Sequence, residues 1–137
     1  MSDAYDALYA YTTEHADARF ILQHVVDAHA AQVATPQTKP ITLTFALVGL
    51  YLHIERAYSG REVQLVHMRM ARHKRQWPDL HLPADRGAIT PALVWEVPAG
   101  SERDVAIESW CRSVWDAFRD SREAIVSLMR EYEQTDH

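Results

Sequence analysis

The chain has 137 residues, of which 47% are hydrophobic and 24% are charged, and its formal net charge at pH 7 is −5. This length suits one domain with a substantial core, and the acidic balance argues against a general nucleic-acid binder or a protein that binds anionic membranes. The single cysteine, Cys111, excludes a disulfide within the chain and a zinc site built from cysteines. The acidic start MSDAYDALYAY lacks the basic and apolar regions of a signal peptide, so a cytoplasmic protein is expected.

Two helices are predicted at the start of the chain. Ser2 is a capping residue for a helix over residues 2–14, which carries acidic residues at its positive end. A second helix begins near Asp17 and runs to about residue 34, because Pro36 disfavours helical backbone at the residue before it. Apolar residues lie on most sides of this second helix, so we expect it to pack against several neighbours.

The stretch 38–58, TKPITLTFALVGLYLHIERAY, is predicted to be the centre of the fold. Residues 41–54 carry no charge, which indicates a helix that is apolar on every side. Thr38 is a candidate cap and Pro40 suits the first helical turn. The run is shorter than the roughly 18 residues that a membrane span needs. The residues expected to be fully buried are Leu47, Leu50 and Ile54.

Three more helices are predicted in the rest of the chain, over residues 61–76, 91–96 and 101–133. Ser101 caps the last of them, in which apolar residues recur at spacings of three, four and seven. Segment 77–88 contains two prolines and a glycine, so we expect it to be extended and to lie over the bundle.

These patterns predict an all-α fold. The periodic segments are helical, and no stretch alternates as a strand does. We expect a single domain over residues 1–137, built as an irregular bundle of four to five main helices around the central apolar helix at about 38–58.

Several motifs occur in an order that resembles a known family. Residues 26–32 read VDAHAAQ, and the central helix ends in IER at 54–56. Further pieces are WPDLHLP at 77–83, GAIT at 87–90 and SVWDAF at 113–118. Together they resemble the uncharacterised bacterial domain-of-unknown-function family 5946 over most of the chain. The resemblance implies a shared fold and loop layout and a bacterial source, but no chemistry, since that family has no established activity.

The chain departs from this family at several polar positions. Family members usually carry histidines where this chain has Leu22, Val33 and Ala46, and many have an N-terminal cysteine pair that is absent here. A site made by those histidines is therefore not reproduced at these positions, and we expect no bound metal and no cofactor. The polar residues that match the family are Asp27, Gln32, Glu55 and Arg56.

Two neighbouring helices carry the candidate catalytic residues. His24 and Asp27 are three apart and hence adjacent on the second helix, and an imidazole held by a carboxylate is a general base or a metal ligand with its supporting group. His53 and Glu55 end the apolar third helix, where a carboxylate is costly unless it is paired or protonated. We expect a polar network that links Asp27 and Glu55. The alternative for all four residues is a structural role as satisfied buried groups or ion pairs.

The candidate ligand-binding residues surround these four. A glycine inside a helix usually has a packing reason. Ala46, Gly49 and His53 would form a shallow groove unless Trp110, Trp115 or another helix fills it. The complete set of ligand-binding candidates is Gln32, Gly49, Arg56 and Trp110.

Two functions remain open from the sequence. The first is a small-molecule site, with or without acid–base catalysis, between the second and third helices. The second is a non-catalytic interaction module that forms a homodimer or docks a partner. Neither nucleic acid nor a membrane is an expected partner.

Overall fold

Helices make up most of the structure. The computed structural model describes residues 2–14, 19–73 and 75–135, and in these ranges it contains seven α-helices, one 3₁₀ turn and no strand. The elements are α1 (Ser2–Glu14), α2 (Ile21–Gln32), α3 (Pro40–Arg56), α4 (Gly60–Ala71), α5 (Pro91–Trp95), α6 (Ser101–Ala117), the 3₁₀ turn Arg119–Ser121 and α7 (Arg122–Thr135). The predicted all-α bundle is confirmed. No helix within the described ranges is long and apolar enough to cross a membrane.

The predicted central helix is α3, which packs against α2, α4, α6 and α7. Leu47 and Leu50 are fully buried, as predicted. The prediction of full burial is wrong for Ile54, which is partly exposed because it lies in the last turn of α3 beside the exposed Glu55 and Arg56. One cluster of buried apolar side chains includes residues from all seven helices.

Some helix starts agree with the predicted signals and others differ. Pro40 is the first residue of α3, as predicted, but Lys39 rather than Thr38 is the cap residue. Helix α2 begins at Ile21, and the predicted start near Asp17 lies outside the described residues.

The predicted last helix over 101–133 is two helices, α6 and α7. Its first residue, Ser101, is helical rather than the cap. The helix ends where the Phe118 N–H bonds to the Trp115 carbonyl, and the Ser121 N–H bonds to the Phe118 carbonyl in the 3₁₀ turn that follows. No proline or glycine marks this break, and the apolar spacing continues through it, which is why the sequence predicts one helix here.

The extended segment lies over the bundle as predicted. Helix α4 ends at Ala71 rather than at about 76, and residues 75–90 have no regular structure before α5 begins. Trp77, Leu80 and Leu82 are half-buried and pack against the core.

Candidate functional site

The candidate site lies along the seam between α2 and α3. His24 lies against His53, and three residues further along α2, Asp27 lies against Gly49. Residue numbers rise along one helix as they fall along the other, which is the antiparallel arrangement that a short connection favours. The seam thus brings together four of the eight residues that the sequence singled out.

His24 and His53 form a stacked pair. Their ring centroids are 3.5 Å apart, and the rings are tilted by 13°. His24 is only 4% exposed, and its Nδ1 has no hydrogen-bond partner within the described residues. His53 is partly buried, so the pair has one enclosed ring and one ring that solvent reaches.

Burial keeps both rings neutral at pH 7. Loss of hydration lowers the pKa of His24 to about 3, with smaller contributions from His53 and Arg19. Burial also lowers the pKa of His53, although Glu108 and a hydrogen bond to the Tyr58 backbone oppose this change. A neutral imidazole has one acceptor nitrogen and one N–H donor, so both rings can accept a hydrogen bond.

Asp27 fills the groove that Gly49 opens in α3. A Cβ atom at position 49 would lie 1.9 Å from Asp27 Oδ2, so a side chain there would collide with the carboxyl group. The groove is therefore filled by another helix, α2, rather than by a tryptophan. Gln23 Nε2 donates a hydrogen bond to Asp27 Oδ1 at 3.1 Å, whereas Oδ2 is buried and has no partner in the described part of the chain.

The environment of Asp27 favours the protonated acid. Complete burial raises its pKa well above the usual value, and the hydrogen bond from Gln23 only partly opposes this. Among the described residues no cation pairs with Asp27, and Arg56 of the neighbouring helix α3 pairs with Glu133. The surroundings thus favour the form of this carboxyl group that can donate a hydrogen bond.

A cavity of about 460 Å³ opens beside the histidine pair, where α2 begins and α3 ends. This volume is in the range of pockets that hold small organic molecules. Its charged lining residues are Arg19, Glu62, Asp104 and Glu108, and its apolar lining residues are Ile21, Ala57, Val105 and Ile107.

The carboxylates in the cavity wall already have structural contacts. Glu62 accepts a hydrogen bond from the Ser59 N–H at 3.0 Å and completes the capping box of α4. Asp104 accepts a hydrogen bond from the Tyr11 hydroxyl at 3.1 Å, and Glu108 lies 4.0 Å from Arg112. Because these contacts account for the acidic side chains, the two histidines are the stronger indication that the cavity is a binding site.

Strained backbone flanks the cavity. Phe20 and Ala57 have φ of 55° and are the two non-glycine residues with positive φ in the described ranges. This conformation costs roughly 1–2 kcal/mol for residues other than glycine. Gly60 lies so close to Phe20 that a Cβ atom would be 1.8 Å from the Phe20 carbonyl oxygen. Strain of this kind concentrates at functional sites.

Replacing Ala57 with glycine should raise the free energy of unfolding by about 0.5–1 kcal/mol, because glycine adopts this backbone without strain. The Tyr58 N–H to Leu52 carbonyl bond that closes α3 would be kept. Urea unfolding measures the change. Ala124→Gly, on the exposed face of α7, is the control and should lower stability by a similar amount. A loss in both variants would contradict the strain at Ala57.

Glu55 lies outside the seam. It accepts hydrogen bonds from Trp115 Nε1 at 2.8 Å and from the Arg122 guanidinium at 2.6 and 2.8 Å. Arg122 is the main reason that the pKa of Glu55 is lowered. The expected network between Asp27 and Glu55 is wrong, because Glu55 bonds to α6 and α7 while Asp27 points at Gly49.

Three further candidates make structural contacts away from the cavity. Trp110 Nε1 donates to Gln32 Oε1 at 3.0 Å, and Gln32 Nε2 donates to the Ile89 carbonyl at 2.8 Å. These bonds tie α2 to α6 and to the chain that precedes α5. Arg56 is exposed and donates to Glu133 at 2.8 Å.

Replacing Asp27 with asparagine should stabilise the protein by roughly 1–3 kcal/mol at pH 7. The folded state holds the proton more tightly than the unfolded chain, whose carboxyl pKa is near 3.8. Wild-type stability is therefore lost as the pH rises above about 4, and asparagine does not titrate. Urea unfolding between pH 4 and 8 should show a gain that vanishes at the acidic end. Asp79→Asn, at an exposed position, is the control. Equal changes in both variants would contradict the raised pKa of Asp27.

Sequence reasoning did not select several residues of the cavity wall. Arg19 and Tyr58 carry no recognisable signal, because each lies beside a helix rather than within a periodic pattern. Ser59 and Glu62 do carry one, since Ser-x-x-Glu before an apolar run is a capping box. That motif locates the start of α4 and hence this side of the cavity.

The fold and the seam define an all-α bundle with a histidine-lined cavity at one end. Residues 2–119 match the profile of a family described as Family of unknown function (DUF5946). The chain belongs to this family. The match includes α1 to α6, and therefore the seam and the cavity, whereas α7 lies beyond it. No curated protein and no solved structure matches the chain.

Proposed function

We propose that the protein binds a small organic molecule in the cavity beside His24 and His53. The stacked, neutral histidine pair in the cavity wall is the observation that carries this proposal. A buried imidazole nitrogen without a partner costs roughly 1–3 kcal/mol, and His24 has such a nitrogen. Strained backbone at Phe20 and Ala57 adds to that cost at the same end of the bundle.

The cavity favours a ligand that donates hydrogen bonds and has an apolar body. The neutral, partly exposed ring of His53 presents an acceptor nitrogen, and Ile21, Val105 and Ile107 supply the apolar wall. His53 is the stronger base of the two, because burial is less complete there and Glu108 stabilises its charged form. If the bound molecule is also a substrate, His53 is the residue that takes its proton.

Fragment screening by ligand-observed NMR tests this proposal. Neutral fragments with an N–H or O–H donor should bind the wild-type protein, and Val105→Trp should weaken binding by about tenfold or more, a loss of roughly 1.4 kcal/mol. Val105 is 62% exposed in the cavity wall, so the larger ring should cover the opening while the fold is kept.

A tryptophan at a distant exposed position is the matched control. Leu93 is 50% exposed on α5 and lies outside the cavity lining, so Leu93→Trp should leave fragment binding unchanged. Equal binding to the wild type and to Val105→Trp would place the fragments elsewhere and contradict the proposal.

The cytoplasmic location and bacterial source expected from the sequence belong to this proposal. Cys111 is a buried free thiol, which fits a reducing compartment. Fractionation of a bacterial host that expresses the chain without a tag would test the location.

An interaction module is the second candidate function. Leu65 and Met68 are 46% and 51% exposed and, three residues apart, lie on one face of α4. A homodimer through this face would give twice the monomer mass in light scattering, and Leu65→Ser with Met68→Ser would restore the monomer. A wild-type protein that stays monomeric at high concentration would contradict the proposed homodimer.

A further inference from the structure

We propose that Asp27 is a stored acid, which can leave its place on Gly49, turn to the neighbouring His24 and protonate it. This inference deepens the proposed function, because it sets the protonation state of a ring in the cavity wall. Asp27 is then a positioning residue, and His24 is the group through which it acts.

The first support is the complementarity of two unpaired atoms. His24 Nδ1 and Asp27 Oδ2 are both buried side-chain atoms with no hydrogen-bond partner in the described ranges. In the tautomer that carries its proton on Nε2, the neutral imidazole lacks a donor for Nδ1, and the protonated carboxyl group lacks an acceptor for its O–H. A hydrogen bond between the two atoms would give each of them its missing partner.

The second support is their placement on α2. Side chains three residues apart on a helix are surface neighbours, with Cβ atoms about 5–6 Å apart. Both point to α3, where His24 meets His53 and Asp27 meets Gly49. A rotation of the Asp27 side chain away from Gly49 is therefore enough to bring its carboxyl group toward His24.

Two contacts hold Asp27 in its present position. Gly49 leaves the space that Oδ2 occupies, and Gln23 donates a hydrogen bond to Oδ1. Neither contact uses the carboxyl proton. The stored position is thus fixed by space and by one neutral hydrogen bond, which single substitutions can remove.

The proton transfer itself is balanced. The O–H bond of Asp27 breaks, a new N–H bond forms at His24 Nδ1, and the products are a carboxylate and an imidazolium that face each other. No other bond changes. The transfer gives the His24 ring in the cavity wall a positive charge, so the cavity would then prefer a ligand with an acceptor or an anionic group.

The surroundings determine where this equilibrium lies. Helices α1, α3, α4 and α6 pack against α2. The titratable and charged groups that they and the preceding loop direct toward the pair are Tyr5, Arg19, His53, Glu62, Glu108 and Cys111. Burial, His53 and Arg19 oppose a charge on His24, so the ring stays neutral until the Asp27 carboxyl group reaches it.

Histidine ¹⁵N NMR of the ligand-free protein at pH 7 tests the proposal. The wild type should show a neutral His24, and the Asp27 ¹³Cγ signal should be that of a protonated carboxyl group. In Gly49→Ala the new methyl group takes the space of Oδ2, so His24 should become an imidazolium. The double variant Gly49→Ala with Asp27→Asn should restore the neutral ring.

A second variant covers the case in which Gly49→Ala does not fold. Gln23→Met removes the hydrogen bond that holds Oδ1 and should shift His24 in the same direction, again only while Asp27 is present. An ionised Asp27 in the wild type would overturn the proposal, and so would a neutral His24 in every folded variant. Because no ligand is used, this outcome is independent of whether fragments bind in the cavity.

Discussion

Lowering the pH from 7 to 4 should destabilise the folded protein by about 3 kcal/mol through His24 alone. The pKa of His24 is about 3 in the folded state, against 6.5 for an ordinary histidine. Between these values the unfolded chain binds a proton that the folded chain does not. Burying the neutral His24 therefore costs no protonation energy above about pH 6.5, and the free energy of unfolding falls as the pH is lowered from 6.5 toward 3.

Urea unfolding of the wild type and of His24→Phe at half-unit pH steps isolates this contribution. Asp27 acts in the opposite direction over the same range, but it is present in both proteins and largely cancels in their difference. The difference in the free energy of unfolding should change by about 3 kcal/mol between pH 7 and 4. His81→Phe, on the exposed segment, is the control. A pH-independent difference for His24→Phe would mean that the ring is not buried as described.

Replacing Leu50 with alanine should lower the free energy of unfolding by about 2–5 kcal/mol. Leu50 is fully buried in α3, which packs against four other helices, so the surrounding side chains cannot easily collapse into the space left. Urea unfolding at pH 7 measures the loss. Leu93→Ala is the matched control, because Leu93 is half-exposed and its truncation leaves no cavity. A loss below about 0.5 kcal/mol for Leu50→Ala would show that α3 is not the centre of the fold.

The central helix and its neighbours could be predicted because they depend on local patterns. The uncharged run in 41–54 identifies α3, and Thr90 with Pro91 marks the start of α5, where Thr90 Oγ1 accepts a hydrogen bond from the Leu93 N–H. The two prolines and the glycine in 77–88 likewise predict the extended segment. Each of these signals acts through nearby residues, so tertiary packing does not change it.

The break between α6 and α7 and the partner of Glu55 depend on tertiary packing instead. The apolar spacing from Phe118 to Ile125 is that of a continuous helix, although the chain turns between them. That turn places Arg122 beside Glu55. Because the sequence does not indicate this turn, nothing in it favours Arg122 over the adjacent Arg56 as the partner of Glu55.

The site could be predicted in part. His24, Asp27, Gly49 and His53 stand out as polar or small residues on apolar helical faces, and the structure brings them into one seam. Which of them meet depends on the register of α2 against α3. A shift of one turn would separate the two rings and move Asp27 away from Gly49. The cavity itself is formed by loop residues around the left-handed Ala57, for which the sequence has no pattern.

The buried polar groups of the seam lower the stability of the folded protein. Burial raises the pKa of Asp27 and so favours its protonated form, and His24 buries a nitrogen that has no partner in the described ranges. Apolar residues at either position would be more stable in a purely structural role. Perturbed titratable groups beside a cavity are typical of functional sites, which is why we propose that the ligand binds at this end of the bundle.

Histidine-selective ¹⁵N–¹H NMR with a saturating fragment tests the central claim most directly. If the ligand binds beside the stacked pair, the ring signals of His24 and His53 should shift together, while those of His67, which bonds to the Phe45 carbonyl at 2.7 Å on another part of the bundle, should stay unchanged. Shifts confined to His67 or to the exposed His73 and His81, with His24 and His53 unmoved at saturation, would contradict the claim.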